Sequence, residues 1–466
     1  MSTTTTGKGW KGYCGMAEES SSATYATAAP STVYPALMSE SFEADESFEY
    51  PEPIQAAPWI FTSSPGRRAV KGNLVPLADP ISLGLPLKWA NRAVTDTTFP
   101  PAPTTLTATP AAGGTYGPGA VKYAVAQIFN LTGAIRPYRW VGNLTPVASA
   151  TMDVTNKKAN LAWVNAAPLA SPPMDVYGTM IFASAPGSSD LFYLATVVGA
   201  GLTYLDDGSV TLSSIPAPTA VVTTQHAYTG SSDDLKTFSL EFGLDLDKNK
   251  QIIGTKVGSL DIKASEKGVL GFTFACQAQD MLFITPTTPT FVDAPFFTGQ
   301  NSIVYLQPQT ASDVLFAQNK DLTFKLDNKL EMIDNSGYVS RRINDGPRDI
   351  NASFTFQMEN TVQVQRILQN RFTYQRMAYH YVAWGQPLDG GALVVPSSDG
   401  YFITFWPGLF EIVLPCADFD AIKAPLANKQ QIIQSIAFKR ALYDATLQAD
   451  CALRLTNTTA SYPDVA

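Results

Sequence analysis

Histidine is almost absent from this chain of 466 residues: only His226 and His380 are present. The imidazole base that hydrolytic triads need therefore has two candidates, and neither accompanies a nucleophile motif. No GxSxG, HExxH or GxxxxGK(S/T) occurs, so a structural or surface role is expected of both. The four cysteines, Cys14, Cys276, Cys416 and Cys451, are scattered without CxxC spacing. This suggests neither a zinc site nor a disulfide framework and predicts reduced, mostly buried thiols. No metal and no cofactor is expected. Runs of eighteen or more apolar residues are missing too, which argues against a membrane-spanning helix. The opening MSTTTTGKGWKGYCG has no apolar core of a secretory signal.

Charge is scarce as well. Charged residues make up 15% of the chain, against about a quarter in ordinary globular domains. Asp and Glu outnumber Lys and Arg by 40 to 32, for a net charge of -8. Affinity for phosphate comes mainly from clustered Lys and Arg, so an ordinary nucleic-acid-binding role is disfavoured. An acidic surface can still serve nucleic acid by repelling it, as a conduit should.

What is present is a strand pattern. Alternation recurs in Leu322 to Leu330 (LTFKLDNKL), Ala352 to Met358 (ASFTFQM) and Gly271 to Ala278 (GFTFACQA). Helices are few. Thr361 to Phe372 fits one, with Asn360 as cap and Val364, Ile367, Leu368 and Arg371 at helical spacing. A shorter candidate begins after Asp79 and carries Ile81, Leu83, Leu85, Leu87 and Trp89, with Pro86 limiting its length. The length of the chain predicts two or three domains.

Proline clusters at Phe99 to Pro103 (FPPAP) and Ser214 to Thr219 (SIPAPT) mark two joints. The segment between them is the size of one β-sandwich. Its Pro103, Tyr123, Trp163, Tyr177 and Thr203-Tyr204-Leu205-Asp206-Asp207-Gly208, in that order, resemble a fibronectin type III or related immunoglobulin-like domain. In such a sandwich Trp163 fills the space between two sheets, while Tyr204 and the Asp-Gly turn fix a strand corner.

The flanks of this segment show self-similarity. Gly66 to Leu74 (GRRAVKGNL) runs parallel to Gly346 to Phe354 (GPRDINASF), and Gly268 to Phe274 can be laid against Gln431 to Phe438. The extra separation in the first copy matches the length of the intervening segment, which predicts an insertion into one of two copies of a fold.

The ordered features outside the insert resemble the tail tube proteins of long-tailed, non-contractile bacteriophages. They are the Gly-rich N-terminal arm, Ser39-Glu40-Ser41, GRRAVKGNL, SLEFGL (Ser239 to Leu244), VGSLDIKASEKGVLGFTFACQAQ (Val257 to Gln279) and Leu455-Thr456-Asn457 before Tyr462. The resemblance implies a mainly β fold of two tail-tube-type β-sandwich or barrel domains, each with a flanking helix, plus the inserted fibronectin- or Ig-like sandwich. The expected division is 1–100 with 218–295, then 101–217 as the insert, then 296–466. It implies a structural virion protein and no enzyme. Homotrimeric rings of pseudo-sixfold symmetry would stack into the tube, alongside a tape-measure protein and tail terminator or baseplate proteins, after assembly in the host cytoplasm. DNA would pass through without specific binding, and no membrane is involved. The insert would project outward.

One charge feature bears on that role. From Glu40 to Glu52 the chain carries Glu40, Glu43, Asp45, Glu46, Glu49 and Glu52 without one Lys or Arg. Solvated strand face is the plain reading; the functional one places Glu40, Glu43, Asp45, Glu46 and Glu49 on a channel wall, where like charge keeps DNA moving. Asp245-Leu246-Asp247-Lys248-Asn249 begins like a calcium loop but has Lys250 and Lys256 where Gly and Glu are required, so a hairpin turn is expected. The terminal pieces Met1 to Gly15 and Asn457 to Ala466 are candidates for ordering on a neighbouring ring. Two other classes stay open: an adhesive or carbohydrate-binding surface protein acting through the fibronectin-like segment, and a glycosidase with paired carboxylates.

Overall fold

The computed structural model describes residues 12–20, 31–49, 64–98, 102–131, 138–167, 174–214, 216–217, 224–231, 233–243, 247–291, 296–308, 315–333, 342–357, 377–385, 394–396, 402–404, 408–423, 433–443, 449–457 and 459–462. The chain is mainly β, in several sheets. The expected helix at 361–372 lies outside the described residues.

Before the first proline cluster come β1 (Tyr13–Glu18), β2 (Leu37–Glu40), β3 (Glu43–Glu49), β4 (Ser64–Pro76), the helix α1 (Gly84–Ala90) and β5 (Ala93–Thr98). Between the clusters lie β6 (Thr104–Ala111), β7 (Gly113–Gly114), β8 (Gly119–Leu131), β9 (Tyr138–Leu144), β10 (Ala148–Met152), β11 (Asn156–Val164), β12 (Met174–Ala183), β13 (Phe192–Val198) and β14 (Thr203–Asp206). Next are β15 (Thr224–Thr229), β16 (Phe238–Gly243), β17 (Asn249–Ser265), β18 (Gly271–Ala278) and β19 (Asp280–Ile284). The rest of the chain holds β20 (Phe297–Pro308), β21 (Leu315–Asp327), β22 (Glu331–Ile333), β23 (Arg342–Asn344), β24 (Asp349–Gln357) and β25 (Met377–Gly385), then β26 (Val394–Pro396), β27 (Phe402–Thr404), β28 (Leu409–Lys423), β29 (Ile433–Ala441) and β30 (Ala452–Asn457).

The ladders outside β6 to β14 repeat one pairing order twice. In the first half β1 pairs β16, which pairs β17, then β18, then β4, then β3. In the second half β20 pairs β25, which pairs β28, then β29, then β24, then β21. Chain order is the same in both sets. Interruptions of register coincide as well, and these are position-specific features of a fold. The ladder of β17 with β18 shifts between Val257 and Ser259, and that of β28 with β29 between Phe419 and Ala421. The ladder of β16 with β17 shifts between Phe238 and Leu240, and that of β25 with β28 between Met377 and Tyr379. A third pair falls between Leu37 and Ser39 beside β4 and between Asn319 and Asp321 beside β24.

One detail of the sequence alignment is corrected. Leu74 lies opposite Phe274, and its counterpart Phe354 lies opposite Ile436, so Phe274 corresponds to Ile436 and not to Phe438. A slip of two residues keeps every side chain on its face, which leaves the alternating pattern unchanged.

The two sets are fused by a ladder between β17 and β21, in which Leu260 faces Leu326 and Asp261 faces Lys325. Among the described residues seventeen strands thereby join one sheet. They also share one core, which runs from Leu74, Phe274 and Leu260 through Phe324 to Phe354 and Ile412. Aromatic contacts tie it together: Trp89 stacks on Phe238 at 4.1 Å between ring centroids, and Phe272 meets Phe410 edge-on at 5.0 Å.

Helix α1 seals one side of this core. Asp79 Oδ1 accepts from the backbone N–H groups of Ile81 and Ser82, which starts the turn, and Pro86 sits early in the helix, where its missing N–H costs little. Lys88 points inward to Glu18 of β1 at 2.7 Å, and both side chains are buried. Trp89 Nε1 donates to the same carboxylate.

Strands β6 to β14 form two facing sheets with their own core around Tyr123, Val125, Leu161, Trp163 and Ile181. The corner expected of Tyr204 is made by other residues: Tyr116 and Tyr123 both donate to the buried Asp206 carboxylate, at 2.7 and 2.8 Å, while Tyr204 packs half-buried beside them. Gly208 turns the chain there with a φ of 75°. Strand β27 runs parallel to β9, adding a hairpin from the second half to one of these sheets. The chain leaves the main sheet after Thr98 and re-enters at Thr224, and these two residues are cross-strand partners.

Candidate functional site

Strict alternation gives the large sheet two different faces. In β18 every second residue is buried, so Phe272, Phe274 and Cys276 enter the core while Thr273, Ala275 and Gln277 stay on the other side. The same division places Lys71 and Asn73 of β4, Asp261 and Lys263 of β17, Asp321, Thr323 and Lys325 of β21, and Asn351 and Ser353 of β24 on that outward side. The result is one polar face shared by both halves. Its charges are of both signs, Lys71, Lys263 and Lys325 with Asp261 and Asp321, and amides and hydroxyls lie among them.

The sequence-derived acidic candidates enter this sheet at one end. Glu40 is not a free charge: its Oε1 pairs with Lys250 at 2.7 Å and its Oε2 accepts from the Phe42 N–H. Glu43 is exposed on β3, directly opposite Lys71 of β4. Asp45, Glu46 and Glu49 follow on β3, with Glu46 in register with Arg68. The acidic strand therefore lies against the basic residues of GRRAVKGNL, and opposite charges directly across an antiparallel pair attract. Glu52 lies outside the described residues.

Several strands of the same sheet carry a ladder on one side only among the described residues, and two of these edges occupy matching places in the two halves. Among the described residues β3 has a ladder on one side only, with β4, and Asp418 to Lys423 of β28 have one only with β29. The counterpart of that β28 segment, Ser259 to Ser265 of β17, is paired on both sides. Unpaired edges of this kind are templates for another strand.

Histidine and carboxylate chemistry is directed inward. His226 is fully buried, with Nδ1 2.7 Å from Asp96 Oδ1 and Nε2 2.9 Å from Asn457 Oδ1. Tyr462 covers the ring edge-on at 4.5 Å between centroids. This arrangement holds the C-terminal strand to β5 and β15. His380 lies on β25 in register with Tyr305 and Val413.

Glu241 is the most heavily bonded carboxylate. It accepts from Tyr13, Ser31, Asn249 and both the N–H and hydroxyl of Thr287, at 2.6 to 3.3 Å. Burial pushes its pKa up, but these donors outweigh burial and hold the carboxyl below its ordinary range. Asn249 is consumed in this network, and β16 and β17 are antiparallel neighbours; Asp245 and Leu246 of the calcium-like segment lie outside the described residues.

The termini are partly built in. Tyr13, Cys14 and Gly15 of the expected arm are strand residues, and Asn457 and Tyr462 of the expected tail are buried. Residues 1–11 and 463–466 lie outside the described residues. All four cysteines are buried and none is in a disulfide, and burial raises the Cys451 thiol to about 12. Among the described residues, no three His, Cys, Asp or Glu side chains are grouped to hold a metal, and no helix is long and apolar enough to cross a membrane.

Compared with models of known protein families and with curated protein sequences, the chain matches none.

Proposed function

We propose that this chain is a ring-forming structural subunit of a phage tail tube and acts without catalysis. The observation that carries the reading is the twice-repeated pairing order, whose two copies are joined edge to edge by the β17 and β21 ladder. A unit that extends a sheet by adding its own likeness generates a cylinder when the step is a rotation. Three chains of two copies each supply six such units, which is the trimeric, pseudo-sixfold ring implied by the resemblance.

The polar face common to both halves is the natural channel wall in this reading. Its mixed charges and neutral hydrogen-bonding groups offer DNA no cluster of Lys and Arg to neutralise phosphates, so transit is not slowed by counterion release. The acidic strand contributes Glu43 at the margin of this wall, beside Lys71, and does not dominate it. In the same proposal the sandwich of β6 to β14 projects outward from the tube as a fibronectin-like decoration. Tape-measure, terminator and baseplate proteins, a virion location and cytoplasmic assembly belong to the same proposal.

Negative-stain microscopy of the purified protein across a concentration series tests it. Rings or tubes bearing three outer knobs per ring are the expected result. Particles that remain single chains at every concentration, alone and with a tail extract, would overturn it.

A further inference from the structure

The coincident register shifts carry the correspondence between halves down to single residues. Ser259 and Leu260 of β17 match Ala421 and Ile422 of β28, so Asp261 matches Lys423. On the other partner, the common register of β2 and β3 against β4, and of β21 against β24, matches Glu43 to Lys325 and Ala44 to Leu326. The internal junction uses the outer edges of β17 and β21. The matching edges, those of β28 and β3, both stand open among the described residues.

We propose that β28 of one chain pairs antiparallel with β3 of a second copy in the register of the internal junction. Ile422 then faces Ala44 and Lys423 faces Glu43 of the neighbour. This rests on the ring reading above and names its interface. The charges support it in a way that the edges alone do not. Inside the chain an acid on β17, Asp261, faces a base on β21, Lys325; between chains a base on β28 faces an acid on β3. The order is reversed.

That reversal discriminates against the wrong joins. Were β3 of a neighbour to displace β21 from β17, Glu43 would face Asp261. Were β28 to take β21, Lys423 would face Lys325. Both mismatches set like charges directly across an antiparallel pair, whereas both correct junctions set opposite ones. Each edge thereby favours one partner of two that share a fold.

Cysteine pairing tests the register. In the double variant E43C/K423C, mild oxidation of the assembled protein is expected to give covalently closed trimers on a non-reducing gel, while each single variant stays monomeric there. The native thiols are buried and add little background. Charge reversal gives an independent readout: K423E should raise the concentration needed for assembly roughly tenfold, and E43K/K423E should restore it. Rings that form but leave the cysteine pair unlinked would overturn this register while sparing the ring assignment. Failure of the unsubstituted protein to assemble at all would remove both.

Discussion

At the scale of single residues, the polar interior bears the most specific consequences. Glu241 binds the N-terminal strand to β16 and β17 through neutral donors alone, with its carboxyl held below the ordinary range. A folded-state value below the unfolded one stabilises at neutral pH, and that contribution is lost as pH falls through the carboxylate range. Urea denaturation should show E241Q less stable than the unsubstituted protein by about 1–3 kcal/mol near pH 7. The gap should narrow as pH falls below the ordinary carboxylate range and the Glu241 carboxyl takes up its proton. Lys88 and Glu18 behave differently, because both charges are buried against each other. K88M leaves an uncompensated carboxylate and should cost about 3–5 kcal/mol, whereas K88M/E18Q should recover most of the loss. None of this was legible in the sequence. The donors to Glu241 come from positions 13, 31, 249 and 287, and only the folded chain brings them together.

At the scale of elements, the alternating segments were readable because one face of the sheet is buried and the other is wet. GFTFACQA and LTFKLDNKL announce their strands and their inward residues directly. The helix after Asp79 was ambiguous for an equally physical reason: Leu83, Leu85, Leu87 and Trp89 alternate, yet α1 is buried on nearly every side, so no polar stripe marks its period. The acidic run was visible, but not the basic strand across from it, since β3 and β4 pair over a long connection. Register shifts were invisible too, and they matter. Deleting Gly258 removes the extra residue of the β17 bulge and moves either Leu260 and Ile262 or the preceding Val257 off the core face. The variant should lose cooperative thermal unfolding by circular dichroism; retention of a sharp transition would show that the bulge is dispensable.

At the scale of the whole molecule, the segment between β5 and β15 leaves and rejoins the large sheet where it disturbs least. Thr98 and Thr224 are cross-strand neighbours, so residues 99–223 can be replaced by a short Asn-Gly-containing turn without moving β5 or β15. The shortened chain should keep the strand signal of the large sheet and, in the proposed role, should still form rings that lack outer knobs. Its weak point is β27, which loses the parallel partner β9. Aggregation that disappears when residues 394–404 are also trimmed would identify that hairpin as the cause. The proline clusters lie near the two ends of this segment, since proline fits poorly inside a ladder or a helix. They did not point to the return contact through β27, which is made by only three residues on each strand.

The ladder between β17 and β21 has a kinetic side. Covalent connection makes that contact unimolecular, so its formation is indifferent to dilution. Under the proposed pairing, only alternate contacts around a closed circle depend on encounter between molecules. A nucleus of three molecules replaces one of six, and the onset of polymerisation should accordingly scale with a lower power of protein concentration than for a tube built from single-unit chains.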